Sequence, residues 1–169
     1  TGGFTAVPPG GLQRRFDERA LEPCLQGGQQ IAGLRIFQLL PGQLCQHLTP
    51  AFRAGGLLSY GRETGRVQVQ SFDFTSMKRY HAIDPWMPVG LLGRPYRWEL
   101  DDLTWADQVN PNYLASDATY VRDLHAQGFV SYTWTVNDEI GMNMVLDRGH
   151  DGIITNRPDL AHSVLLARG

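Results

Sequence analysis

Val130-Ser131-Tyr132-Thr133-Trp134-Thr135-Val136-Asn137 and, one short helix later, Gly149-His150-Asp151-Gly152-Ile153-Ile154-Thr155-Asn156-Arg157-Pro158-Asp159 decide the fold. Each stretch opens on apolar or β-branched residues, closes on a polar cluster and passes directly into a helix. That is how an α/β barrel delivers side chains to its active face.

Working backwards, the same alternation recurs. Gly128 ends a helix opened by Ser116-Asp117, with Ala118, Val121 and Leu124 on one face. Ala106 to Asn110 reads as a strand closed by Pro111, and Arg94 to Thr104 shows no clear period. Pro88-Val89-Gly90-Leu91-Leu92 reads as a short buried strand. Asp73 or Thr75 caps a helix carrying Phe74, Met77 and Tyr80, which Pro85 ends. Val67 to Ser71 is a strand, and Thr49-Pro50 opens a helix with Phe52, Leu57 and Leu58 that Gly61 stops. Downstream, Glu139 to Arg148 is a helix stopped by Gly149, and a closing helix starts at Pro158. Strands alternating with helices imply parallel pairing. The strand spacing of about twenty residues is tight for a barrel, which averages roughly thirty per unit, so spacing alone leaves a flavodoxin-like or Rossmann-like open sheet in play.

The N-terminal part reads differently. Residues 1–33 are rich in Gly, Pro and Gln, follow no sustained period and are expected to be irregular, apart from a short helix over Arg19 to Gln26. Leu34 to Leu39 is a strand candidate that opens the second region, 34–169. The chain starts at Thr1, which suggests a processed product or a piece of a longer reading frame.

Bulk composition excludes several classes. With 15 Lys and Arg against 17 Asp and Glu, scattered along the chain, nothing draws it to nucleic acid or an anionic membrane surface. No apolar run approaches the roughly 18 residues of a spanning helix. Cys24 and Cys45 lack the spacing of a zinc site.

In parallel α/β folds ligands sit where strands end, which selects Gln70, Ser71, Leu92, Asn110, Trp134, Thr135, Asn137, Thr155 and Asn156. These can shape a pocket for a polar small molecule, but none is a strong general base or holds a hard cation alone. Trp134 is as much a core or rim aromatic as a pocket residue on sequence grounds. Asn137, directly before Asp138-Glu139, reads as a helix N-cap. Ser71 has no His partner and no Gly-x-Ser-x-Gly setting, so it lines the site or caps the next helix and is no nucleophile. Asp151 opens the last strand, on the stability face. Asp101-Asp102 read as solvated or capping residues, and the five histidines as surface or structural ones.

The Trp-Thr-Val-Asn strand end, the Gly-His-Asp-Gly-Ile-Ile-Thr-Asn-Arg-Pro turn and Val67-Gln68-Val69-Gln70-Ser71-Phe72-Asp73 together resemble the glycerophosphodiester phosphodiesterase family, in its order, from about Val67 to about Leu165. The resemblance implies a partial TIM (β/α)8 barrel of the phospholipase C-like phosphodiesterase type, roughly its last five or six strands. It implies a metal-dependent hydrolysis of a small-molecule glycerophosphodiester to glycerol 3-phosphate and an alcohol. Trp134 would then face the pocket, with Ser71, Asn110 and Thr155 as further pocket residues.

The same resemblance exposes what is missing. The family's first-strand His-Arg, second-strand Glu-x-Asp and following His-Asp have no counterpart here, so no catalytic residue is assigned. If its Glu-x-Lys strand is aligned to Leu34 to Leu39, the metal-binding Glu falls on Phe37 and the Lys on Leu39. The divalent metal expected for the intact family, Mg²⁺ or Ca²⁺, thus has no ligands in this chain. Two readings follow: the C-terminal part of a phosphodiesterase, or a non-catalytic barrel fragment that binds a polyol or phosphate. A barrel without its first strands is also expected to leave two unpaired edges open to self-association.

Overall fold

Valine and amide residues alternate through Val67-Gln68-Val69-Gln70, and a strand sorts such a pattern onto two faces. A computed structural model describes residues 25–31, 34–39, 56–64 and 66–169. The strands are β1 (Leu25–Ile31), β2 (Leu34–Leu39), β3 (Val67–Ser71), β4 (Val89–Leu92), β5 (Gln108–Asn110), β6 (Tyr132–Thr133) and β7 (Gly152–Ile153). The helices are α1 (Leu57–Thr64), α2 (Phe74–Ile83), α3 (Ala118–Ala126), α4 (Glu139–Asp147) and α5 (Pro158–Ala167), with a 3₁₀ helix over Arg97–Leu103.

Strands β2 to β5 pair in parallel in sequence order, and β6 pairs in parallel with β7. Single parallel bridges, Gln108 to Val130 and Asn112 to Trp134, join the two sheets. The result is the partial α/β barrel that the sequence implies. Val67, Val69, Val89, Leu91 and Val109 face outward and are fully buried against helix residues such as Met77 and Tyr80. Burying each such aliphatic side chain contributes about 1.5–3 kcal/mol. A second cluster, Val136, Met142, Val145, Ile153 and Val164, fixes α4 and α5 over β7.

Helix starts follow local chemistry. Asp73 and Asp117 accept from the backbone N–H of Ser76 and Tyr120 at 3.0 and 2.8 Å; the Ser76 hydroxyl and then its N–H hold the Asp73 carboxyl below the usual range, and the Tyr120 N–H does the same for Asp117. Gly128 and Gly149 end α3 and α4 at φ of 86° and 89°, where other residues are strained.

Several expectations need correction. Leu25 and Gln26 belong to β1, not to a helix, because β1 pairs antiparallel with β2; the rest of that predicted helix, Thr49-Pro50, Phe52, both cysteines and His47 lie outside the described residues. Gly61 does not stop α1, which runs on to Thr64. It is a close-packing position: a Cβ there would lie 3.0 Å from Val67 Cβ and 3.1 Å from Met87 Cε. The edge at the N-terminal end of the sheet, among the described residues, belongs to β1, which pairs with β2. The strand expected over Phe129 to Thr135 is regular only at Tyr132–Thr133 and continues as isolated bridges.

His150 is buried between two hydroxyls, with Ser116 Oγ 3.0 Å from Nε2 and Ser131 Oγ 3.0 Å from Nδ1. Desolvation, then the positive charge of Arg148, pushes its pKa down to about 4, while Asp151 opposes and His125 adds to the shift. The neutral ring is the form that fits. Its contribution is complete above the unfolded value near 6.5 and drains away as pH falls towards 4. The urea midpoint should therefore drop between about pH 7 and about pH 5, and His150→Gln should flatten that slope. An unchanged slope in the variant would assign the acid sensitivity elsewhere.

Candidate functional site

The inward face of the sheet carries amides instead of aliphatics. Gln68 and Gln70 of β3, and Gln108 and Asn110 of β5, are all nearly fully buried. Gln108 Nε2 donates to Gln68 Oε1 at 2.6 Å, and Asn110 Nδ2 donates to Gln70 Oε1 and Gln108 Oε1, both at 3.2 Å. These bonds pass over β4 and need a residue without a side chain there. That residue is Gly90, in register with Gln70 and Gln108, where a Cβ would stand 2.8 Å from Asn110 Nδ2.

From this ladder Asn110 reaches the next strand. Its Oδ1 accepts from Tyr132 N at 2.9 Å, and its carbonyl accepts from Trp134 Nε1 at 2.7 Å and Gly93 N at 3.0 Å. The indole is thereby fixed at the strand ends, and Phe72 meets it edge-on with ring centroids 5.3 Å apart. The Trp134–Thr135 peptide is cis. Asn110 and Trp134 are thus in direct contact, with Trp134 partly buried and Asn110 wholly buried.

The other two residues singled out are placed differently. Ser71 is in register with Leu91, and Leu91 with Val109, on the helix-facing side. Its Oγ accepts from Asp73 N at 3.1 Å, so it braces Asp73, and Asp73 is the residue that caps α2. Thr155 is nearly buried at the end of β7, donating to Asn137 Oδ1 at 3.2 Å and accepting from Arg157 N at 2.9 Å.

Asn137 is not the cap of α4. Asp138 is, accepting from Gly141 N at 2.8 Å. A carboxylate one position later has the same capping chemistry, and Asn137 is left to join the ends of β6 and β7 through Thr155 and the Asn156 N–H, the latter at 2.9 Å. Asp151 is structural, as expected: Oδ2 accepts from Ser131 N at 2.8 Å and lies 2.9 Å from His125 Nε2. Sequence reasoning missed Phe72, and it missed Gln68 and Gln108 as partners. The amides at strand positions of one parity were the available signal.

A cleft of about 420 Å³ opens beside Phe72 at the ends of β3 and β4, lined also by Phe74, Leu92, Arg94 and Leu103. Arg94 lies 4.3 Å over the ring of Tyr120, whose hydroxyl donates to Pro95 O at 2.8 Å. Burial raises the Tyr120 pKa to about 12. Among the described residues no three His, Cys, Asp or Glu side chains converge where they could hold a metal ion. The site can hold and orient a small polar molecule, and its described residues form no cluster that fits a metal ion.

Known proteins resemble this chain in sequence and in fold. The sequence profile of the Glycerophosphoryl diester phosphodiesterase family matches residues 51–160. The Glycerophosphodiester phosphodiesterase of Bacillus subtilis (strain 168) is 34% identical over 115 residues, covering 64% of this chain and 39% of that protein. The Probable glycerophosphodiester phosphodiesterase 2 of Mycobacterium tuberculosis is 36% identical over 93 residues, covering 52% of this chain and 35% of the relative. The crystal structure of a glycerophosphodiester phosphodiesterase from Parabacteroides distasonis superposes with a TM-score of 0.64 at 26% identity, over 79% of this chain and 57% of that one. The chain spans about two fifths or less of the length of these two curated relatives.

Gly90→Ala should break the amide ladder by forcing a methyl group into Asn110, at a cost of about 1–3 kcal/mol in urea unfolding. The Trp134 indole N–H resonance should move with it, because Asn110 carries both contacts. A variant as stable as the parent, with that resonance unmoved, would show that the ladder holds nothing in place.

Proposed function

The chain belongs to the glycerophosphoryl diester phosphodiesterase family, and we propose that it serves the hydrolysis of a glycerophosphodiester to glycerol 3-phosphate and an alcohol. Its part is to close the barrel and form the wall of the pocket around Trp134. The observation that carries this reading is the pairing of a rigidly held indole at the strand ends with the lack, among the described residues, of a metal-holding cluster. An indole anchored through its N–H presents an apolar face to a glycerol or alcohol carbon chain and orients it. Asn110 holds that indole, and Thr155 with Asn137 shapes the adjoining strand end.

The divalent ion of the complete enzyme would stabilise phosphoryl charge. Its ligands, and the groups that move protons, are assigned to parts of the catalytic unit outside the residues described. His125 and His150 are engaged with Asp151 and with two serines, away from Trp134, and take no part.

The 169-residue chain should release no glycerol 3-phosphate from glycerophosphocholine with Mg²⁺ or Ca²⁺ beyond an EDTA control. Glycerol 3-phosphate should nevertheless shift the Trp134 indole resonance. Metal-dependent turnover would reassign the chemistry to residues of this chain, and a silent indole would remove Trp134 from the pocket.

A second reading rests on β7. Among the described residues no strand pairs with its outer side, and an unpaired parallel edge is a template for another chain. Self-association follows as a proposal. Sedimentation velocity should show dimers or larger species growing with concentration, whereas a monomer at all concentrations would retire the idea.

A further inference from the structure

The turn from α4 into β7 carries two polar side chains that form no hydrogen bond with Trp134. Gly149, at φ 89°, bends the chain there, and Arg148 and His150 on either side of it both reach the segment that follows β5. Arg148 Nη1 donates to Tyr113 O at 2.7 Å and to Ser116 O at 2.8 Å, 35 and 32 positions back along the chain. His150 meets the same segment at Ser116 Oγ. That hydroxyl donates to Asn112 O at 3.3 Å, so towards the ring it accepts, and His150 Nε2 carries the hydrogen. Nδ1 then accepts from Ser131 Oγ.

The braced segment is the one that grips Trp134. Trp134 N donates to Pro111 O at 3.4 Å, and Trp134 O accepts from Tyr113 N at 3.1 Å, so its backbone is held on both sides by residues 111–113. Its indole bonds to the carbonyl of Asn110, the residue directly before that segment. A short loop keeps one position only if its own groups are tied down, since ordering backbone costs free energy at every residue. A guanidinium does this well. Its charge-assisted bonds are about twice as strong as neutral ones, and the fixed angle between two N–H groups on one nitrogen sets the two carbonyls relative to each other. Among the described residues Arg148 forms no ion pair: Asp147 is taken by Arg168, and Asp151 by His125. Its bonds to protein go to two backbone carbonyls of this one segment.

We infer that Arg148, backed by His150, is a positioning residue for the pocket: by fixing residues 113–116 it sets where Trp134 stands. Neither side chain takes part in bond breaking. Calling Trp134 a pocket residue rests on the phosphodiesterase reading, whereas the link from Arg148 to Trp134 stands on the hydrogen bonds alone. Helix α4 does not need this side chain for its own formation, because Arg, Lys and Gln are similar helix formers. Substitutions among them therefore act on the brace.

The test is two-dimensional NMR of the isotope-labelled 169-residue chain, alone and titrated with glycerol 3-phosphate, for the parent, Arg148→Gln, Arg148→Lys and Val67→Ala. Val67→Ala opens a cavity on β3, two strands away from β5, and serves as the destabilised control. Without ligand, Arg148→Gln should move the Trp134 indole resonance and speed hydrogen exchange at that N–H about tenfold. It should also weaken glycerol 3-phosphate binding about tenfold. Arg148→Lys keeps the charge on a shorter stem and should recover part of both. Val67→Ala should lower the urea midpoint and leave the indole where it is. An unmoved indole in Arg148→Gln, or one moved as far by Val67→Ala, would overturn the proposal. The ligand-free resonance decides it without any binding, so glycerol 3-phosphate that shifts nothing in the parent chain would sink the pocket reading alone.

Discussion

Four amides that cross a glycine hold the inner face of this sheet together. Buried amides are costly unless each finds a partner, and they find partners only when β3 and β5 stand at the right height on either side of β4. Gln108 on Gln68 and Asn110 on Gln70 therefore fix strand register through side chains, in addition to the backbone ladder. A one-residue slip would turn every amide to the helix side and every valine inward. The position of Trp134 depends on the same fixing, because Asn110 belongs to the ladder through its side-chain nitrogen and holds the indole through its carbonyl.

Local chemistry was legible in the sequence and long-range pairing was not. Asp73, Asp117, Gly128 and Gly149 mark helix ends through contacts within a few residues, so the element order from Val67 onward could be read directly. Asn110 and Trp134 could be named as strand-end residues for the same reason. The amide pairs join residues 40 positions apart, and no spacing rule reports such a contact. Asn137 and Asp138 are both good caps, and the choice was made by Thr155 and Asn156 from the next strand. Gly61 looked like a stop because glycine often is one, but the need here was room for Met87 and Val67.

Family membership and chain coverage bear on different questions. The match over 51–160 establishes ancestry. The curated relatives are more than twice as long as the part matched. A pocket wall and a reactive centre can occupy different stretches of one barrel, since each strand contributes its own loop to a common face.

β1 is the feature that sets this sheet apart from a barrel of parallel staves. Its direction is reversed, so Leu25, at its beginning, lies opposite Leu39, and Ile31, at its end, lies opposite Leu34. A parallel strand in that place would discharge its outgoing loop onto the face that holds Trp134. β1 instead ends, at Ile31, on the opposite rim, beside Leu34. Paired with β2 on one side and itself the last strand of the sheet among the described residues, it withholds the one thing a stave normally donates, an outgoing loop on the reactive face.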